Sequence, residues 1–253
     1  MRRRWATLAA TAGLALVAGC GGGPASSAPT TTLTVFAAAS LRTTFTTLGQ
    51  RFEADHPGTA VTFNFAGSAD LVTQLQQGAP ADVFASADTA KMAKATADDL
   101  VQGTPVVFAT NTLAIAVPPD NPAKIATLQD LAEPGVKVVI CAVQVPCGVA
   151  TQQVEAAAGV DISPVSEESA VTDVLNKVQT GEADAGLVYV TDVRSAGDKV
   201  RGVPFPESSQ AVNEYPIARL RAGGDGDLAQ QFVELVTGAE GQRVLADAGF
   251  GRP

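Results

Sequence analysis

Two serines carry the first chemical signal in this chain: Ser40 in VFAAASLRTTF and Ser68 in FNFAGSADLVTQL. Each sits where a short apolar strand runs into an amphipathic helix. Leu33, Val35 and Phe36 read as strand, and Leu41, Phe45, Leu48 and Phe52 follow at helical spacing, which makes Ser40 an N-cap candidate. Val61, Phe63 and Phe65 alternate as in a half-buried strand, Gly67 relaxes the turn, and Leu71, Val72 and Leu75 line the next helix until Gly78 stops it. Ser68 takes the same slot as Ser40. A helix start presents unpaired N–H donors and about half a positive charge. Two of them meeting at one cleft, each with a hydroxyl, can hold a small anion without any Lys or Arg.

The elements that would position these groups alternate between strand and helix along the chain. A third strand and turn follow at residues 82–88, and strands at 106–109 and 113–117 lead to Pro118-Pro119, where no central strand could continue. The chain is expected to cross there into a second lobe. That lobe holds a short helix at 128–132, a strand at 137–141, a turn at Cys147, and a helix from about Val149 to residue 158 stopped by Gly159. Its next helix places Val171, Val174, Leu175 and Val178 on one face and ends at Gly181. A strand at 185–190 carries Tyr189, whose phenol either donates one hydrogen bond from the strand end or is satisfied within the core. The return to the first lobe runs through Tyr215-Pro216-Ile217-Ala218, and helices at 227–237 and 239–248 finish the fold. The expected class is α/β with largely parallel sheets, in two lobes joined by a two-strand hinge, with a ligand between them. Residues 31–112 and 215–253 form lobe 1, and residues 113–214 form lobe 2.

The start of the chain, MRRRWATLAATAGLALVAGC, resembles a bacterial lipoprotein signal peptide. Its apolar run is shorter than the roughly 20 residues of a membrane span. Residues 1–19 would be removed and Cys20 lipidated, and the uncharged stretch to residue 32 reads as a tether. Cys141 and Cys147 then remain, separated by five residues, and outside the cytoplasm a disulfide is their natural pairing, with two free buried thiols as the alternative.

The formal charge of −9 becomes −12 once Arg2, Arg3 and Arg4 are lost, 14 basic side chains against 26 acidic. Nucleic acid is excluded as a partner on that balance. An anion inside a closed cleft is not, because charges beyond about 8 Å are largely screened at physiological salt.

Five motifs in order, AAASL, AGSADLVTQLQQGAPADVFASAD, VPCG, GEADAGLVY and GAEGQRVLADAGF, resemble the periplasmic molybdate-binding proteins, ModA, that feed an ABC transporter. The likeness runs from Leu33 to Phe250. It implies a type II periplasmic solute-binding fold and a tetrahedral oxyanion held by neutral hydrogen bonds with no counter-charge. Ser40 and Ser68 match the serines that give hydroxyl and backbone N–H, Cys147 and Val171 match backbone donors, and Tyr189 matches the phenol that completes the shell. The chain reads Cys147 where the family has Ala, and Ser169-Ala170 where it commonly has Glu-Asn. The resemblance further implies molybdate or tungstate as ligand, molybdenum only in that form, no cofactor, a permease partner, and a monomer anchored by lipid outside the cytoplasmic membrane. Another tetrahedral oxyanion such as sulfate is the alternative ligand.

A serine at a strand-to-helix turn is also where hydrolases place a nucleophile. The chain has no Gly-x-Ser-x-Gly, and its one histidine, His56, lies in EADHPG at a helix end, so no base is at hand and no enzyme is expected.

Overall fold

The computed structural model describes residues 31–253. The signal peptide at 1–19, Cys20 and the tether as far as residue 30 lie outside the described residues. The first strand, β1 (Thr31–Ala38), already includes Thr31 and Thr32, which pair with Thr59 and Ala60, so the tether expected to reach residue 32 ends earlier.

A 3-10 turn (Ala39–Leu41) leads from β1 into α1 (Arg42–Asp55). There follow β2 (Thr59–Ala66), α2 (Ser68–Gln76), β3 (Val83–Ala85), α3 (Thr89–Ala97) and β4 (Val101–Asn111). Continuing, β5 (Leu113–Val117), β6 (Val138–Cys141), α4 (Pro146–Ala158), β7 (Ser166–Glu168), α5 (Val171–Gln179), β8 (Ala185–Tyr189) and α6 (Val190–Ala196) build a second layer system. The remaining elements are β9 (Arg201–Val203), β10 (Asn213–Leu220), α7 (Gly226–Thr237) and α8 (Ala239–Ala248).

Two five-stranded sheets result, in the orders β2-β1-β3-β10-β4 and β7-β6-β8-β5-β9. The sheets are mixed rather than largely parallel. In the first, β1 is parallel to β2 and β3, but β10 runs antiparallel to β3 and β4. In the second, β6 is parallel to β7 and β8, and β5 runs antiparallel to β8 and β9. Strands joined through a crossover helix must be parallel, whereas β5 and β10 each enter from the other sheet and are free of that constraint. The passage out is one residue, Thr112, between β4 and β5. On the return β10 starts at Asn213, two residues before Tyr215, and Asn213 faces Asn111 across the β4–β10 pair.

Burial explains why these segments hold. Val35, Phe36, Ala37 and Ala38 of β1 are all buried, as a strand covered on both faces requires. Beneath it Phe45, Phe52, Phe108 and Phe232 meet ring against ring. The second core is aliphatic around Ile115, Val139, Val154, Val174 and Leu187. The fourth helix begins at Pro146, three residues before the expected start, because proline at a first helical position surrenders an N–H that has no partner anyway. It stops at Gly159, whose φ of 64° is left-handed. The short α6 and β9 were not legible in the hydrophobic pattern.

Candidate functional site

Each sheet sends helices away from the C-terminal ends of its parallel strands, and those ends face each other between the two sheets. Four helix starts meet there. The 3-10 turn after β1 brings Ser40, α2 brings Ser68 at its first position, α4 brings Cys147 at its second, and α5 brings Val171 at its first. Tyr189 stands at the end of β8, just before α6. All five residues singled out in the sequence line one small cavity, with Ala39, Gly67, Ser169 and Ala170 among its other walls.

The serines sit otherwise than as N-caps. The residue before α2 is Gly67 and that before the 3-10 turn is Ala38, and neither turn has a side-chain cap. The hydroxyls are engaged elsewhere: the Ala87 N–H donates to Ser68 Oγ at 3.0 Å, and Ser40 Oγ lies 3.0 Å from the Tyr215 phenol. Gly67 also has a different role from the one expected. Its φ of −59° suits any residue, so the turn does not need glycine; a Cβ there would lie 2.0 Å from the Ser169 carbonyl oxygen. That is where the two halves of the molecule touch.

Cys141 and Cys147 are joined by a disulfide, with Cα atoms 5.6 Å apart. The bond ties the end of β6 to the first turn of α4. Gly148 packs so closely on Ala142 that a Cβ would be 1.9 Å from its carbonyl oxygen, so the loop between is folded tightly back on the helix start.

Tyr189 is 1% exposed, and its phenol oxygen has no hydrogen-bond partner. A buried hydroxyl left this way costs about 1–3 kcal/mol, which a ligand in the cavity would recover. Burial, then the neighbouring Tyr215 phenol and the Asp192 and Asp88 carboxyls, push the Tyr189 phenol well above its ordinary range, so it stays a protonated donor. Below it, Asp192 Oδ2 accepts the Tyr189 N–H at 2.9 Å, and burial raises that carboxyl to about 7 despite the bond. Burial also pushes up the Tyr215 phenol.

No charged side chain lines the cavity, whose volume is about 10 Å³. That is room for one small group and not for an organic metabolite. A larger crevice of about 260 Å³ lies beside it, shares Pro146, and carries the carboxylates of Asp88 and Glu214, which disfavour an anion. Among the described residues, no three His, Cys, Asp or Glu side chains are grouped to hold a bare metal ion. An uncharged cavity walled by helix starts and the hydroxyl-bearing side chains of Ser40, Ser68 and Tyr189 is chemically suited to a small hydrogen-bond acceptor.

Asn111, Asn213 and Tyr215 escaped the sequence reading as site residues. Asn111 Nδ2 donates to Thr191 Oγ1 at 2.8 Å and reaches Tyr215 OH at 3.5 Å, and Asn213 Nδ2 donates to the Ala87 carbonyl at 2.9 Å. An asparagine inside a strand is disfavoured by its side chain, and that was the available signal.

A donor-lined cleft between two α/β halves is the architecture of a solute receptor. Residues 33–251 match the family model described as bacterial extracellular solute-binding protein, and the chain belongs to that family: it is a binding protein, not an enzyme. Within it, the chain is 51% identical over 247 residues to the molybdate-binding protein ModA of Mycobacterium tuberculosis H37Rv, covering 94% of this chain and 95% of that one. The likeness to ModA read from the five motifs is therefore shown. Among solved structures, the periplasmic molybdate-binding protein of Azotobacter vinelandii superposes with a TM-score of 0.76 at 23% identity, covering 87% of this chain and 99% of that one. The sulfate-binding protein SubI of M. tuberculosis superposes with a TM-score of 0.73 at 21% identity, covering 87% and 86%. These two establish the type II two-lobed fold and leave the choice of anion to the site. No helix among the described residues is long and apolar enough to cross a membrane.

Proposed function

We propose that the cavity binds molybdate, with tungstate as a near equivalent, and that the chain hands it to an ABC permease. The observation that carries this reading is the buried, partnerless phenol of Tyr189 in an uncharged cavity walled by helix starts. Molybdate is fully deprotonated at neutral pH and only accepts hydrogen bonds, so a shell of donors suits it. Ser40 and Ser68 contribute hydroxyls and backbone N–H groups, Cys147 and Val171 contribute backbone N–H groups, and Tyr189 contributes its phenol. The partial positive charge of several helix starts stands in for a cation. The high identity to ModA of M. tuberculosis supports the same ligand.

Sulfate has the same charge and shape, so rejecting it depends on cavity size and not on donor chemistry. No cofactor takes part. The working form is a monomer outside the cytoplasmic membrane, held to its outer face by lipid on Cys20, with lobe 1 (31–112 and 215–253) and lobe 2 (113–214) closing on the anion.

The test is isothermal titration of the signal-less protein with molybdate, tungstate, sulfate and phosphate, in buffer free of all four. Tight one-to-one molybdate binding with weak sulfate binding is expected. Tighter sulfate binding, or none to any oxyanion, would overturn the reading.

A further inference from the structure

The hydroxyl of Ser40 can donate to an anion only if something else donates to Ser40, and the fold supplies that donor. Asn111 Oδ1 accepts the N–H of Thr112 at 3.1 Å, which fixes which way its amide points. Its Nδ2 therefore faces Thr191 Oγ1 and the Tyr215 phenol as a donor. With the Asn111 amide donating at one side, the nearest partner for the Tyr215 proton is Ser40 Oγ at 3.0 Å, and the Tyr189 phenol is a further, looser neighbour outside normal hydrogen-bond geometry. A phenol is also a better donor and a poorer acceptor than an aliphatic hydroxyl. Ser40 then accepts, and its own proton is left for the cavity it lines.

We propose that Tyr215 is a specificity-determining residue, a positioning partner that commits the Ser40 proton to the ligand. This rests on the oxyanion reading above and deepens it. Ser68 is treated the same way, because the Ala87 N–H can only donate and occupies Ser68 Oγ, while Asn213 holds the Ala87 carbonyl. Asn111 and Asn213 face each other on β4 and β10, so one rung of the hinge strands supports both serines. The Tyr189 phenol makes no hydrogen bond of normal geometry within the fold, its neighbour being the Tyr215 phenol, which already accepts from Asn111. The hydroxyls of Ser40, Ser68 and Tyr189 are thus left to donate, and an oxyanion that carries a proton of its own finds no side-chain acceptor among them. Molybdate and sulfate fit this shell, whereas hydrogen phosphate buries an unmatched donor.

The experiment measures binding of molybdate, sulfate and inorganic phosphate to the wild type, Ser40→Ala, Tyr215→Phe and the double variant by titration calorimetry. Tyr215→Phe keeps the ring and removes only the donor. It should weaken molybdate and sulfate about three- to tenfold while phosphate binding holds or strengthens. In the Ser40→Ala background the same change should have no further effect, since the pair acts as one unit. An equal loss for all three anions, or a loss that adds to that of Ser40→Ala, would show Tyr215 to be structural only and overturn the proposal. The wild type alone gives a check that needs no variant: phosphate binding as tight as sulfate binding would mean an acceptor exists in the shell, and the proposal fails. If the wild type binds no oxyanion at all, the parent reading fails and takes this one with it.

Discussion

Gly67→Ala separates binding from folding more cleanly than any change to a donor. A Cβ on residue 67 would sit 2.0 Å from the Ser169 carbonyl oxygen, where ordinary contact begins at 3.4 Å, so the two halves must part by about 1.4 Å at this point. A hydrogen bond of about 2.9 Å stretched by that much is lost. The donors proposed on the far side are the Cys147 and Val171 N–H groups and the Tyr189 phenol. Losing two of them, at about 1.5–3 kcal/mol each for a charged acceptor, removes about 3–6 kcal/mol and weakens molybdate binding by about two to four decades. Folding should not suffer, because φ −59° and ψ 139° are open to alanine, and the substitution restricts the unfolded chain, worth about 0.4–1 kcal/mol in favour of the native state. Calorimetric titration and thermal unfolding with and without molybdate test this. Wild type should melt higher in molybdate by mass action, and the variant should melt at or slightly above wild type without ligand and show a much smaller shift with it. Affinity within threefold of wild type would refute the reasoning. Gly78→Ala is the control: φ is +85° with nothing nearby, so it should cost about 1 kcal/mol of stability and leave affinity alone.

Other expectations follow from single contacts. Ser68→Ala removes a hydroxyl donor from the cavity and should lower molybdate affinity by about one to two decades, read by the same titration; no change would take Ser68 out of the shell. The Cys141→Ser, Cys147→Ser double variant should lose about 2 kcal/mol in urea unfolding yet still bind, because Cys147 acts through its backbone; loss of binding by a folded variant would contradict that. Asp192, raised by burial to about 7, keeps in the folded state a proton that the unfolded chain gives up near its ordinary value of 3.8. The stability this group contributes is full below the lower value and is lost as pH rises through the window to about 7. Urea unfolding of wild type and Asp192→Asn across that range should show a downward slope in the first that is flattened in the second, and equal slopes would place the ionisation elsewhere.

The site was legible where chemistry coincides with local pattern. Ser40 and Ser68 stood out because an apolar strand, a small polar residue and an amphipathic helix occur in direct succession, and a parallel sheet turns that succession into a shared edge. Tyr189 stood out as a phenol at a strand end with two readings open, and the resemblance chose between them; Cys147 and Val171 as donors came through the resemblance alone, since nothing in a valine advertises its N–H. The hydrophobic period found α1, α2, α5, α7 and α8 but set α4 three residues late, since Pro146 reads as a turn as readily as a helix start. The antiparallel courses of β5 and β10 depend on which sheet each strand joins, a long-range choice that local alternation does not encode. The Asn111, Tyr215 and Asn213 support is likewise long-range: Ser40 and Tyr215 are 175 positions apart.

The two sheets repeat one plan, and that plan would let a chain of charge −9 hold the proposed anion. In each, the central strand (β1 or β6) leads into a helix start carrying Ser40 or Cys147, its outer parallel neighbour (β2 or β7) into one carrying Ser68 or Val171, and its inner neighbour (β3 or β8) into Ala87 or Tyr189. Either half alone therefore presents two principal helix starts to water, where their partial charges are well screened. Only with Gly67 against Ser169 do all four act on one desolvated point. An anion at that point favours the closed arrangement by the difference between its affinities for four starts and for two. The acidic exterior lies beyond the screening length and slows encounter more than it weakens the bound state. On the proposed function, donors with no counter-ion would leave the grip dependent on closure, so a permease that parted the two halves would release the anion without having to break an ion pair.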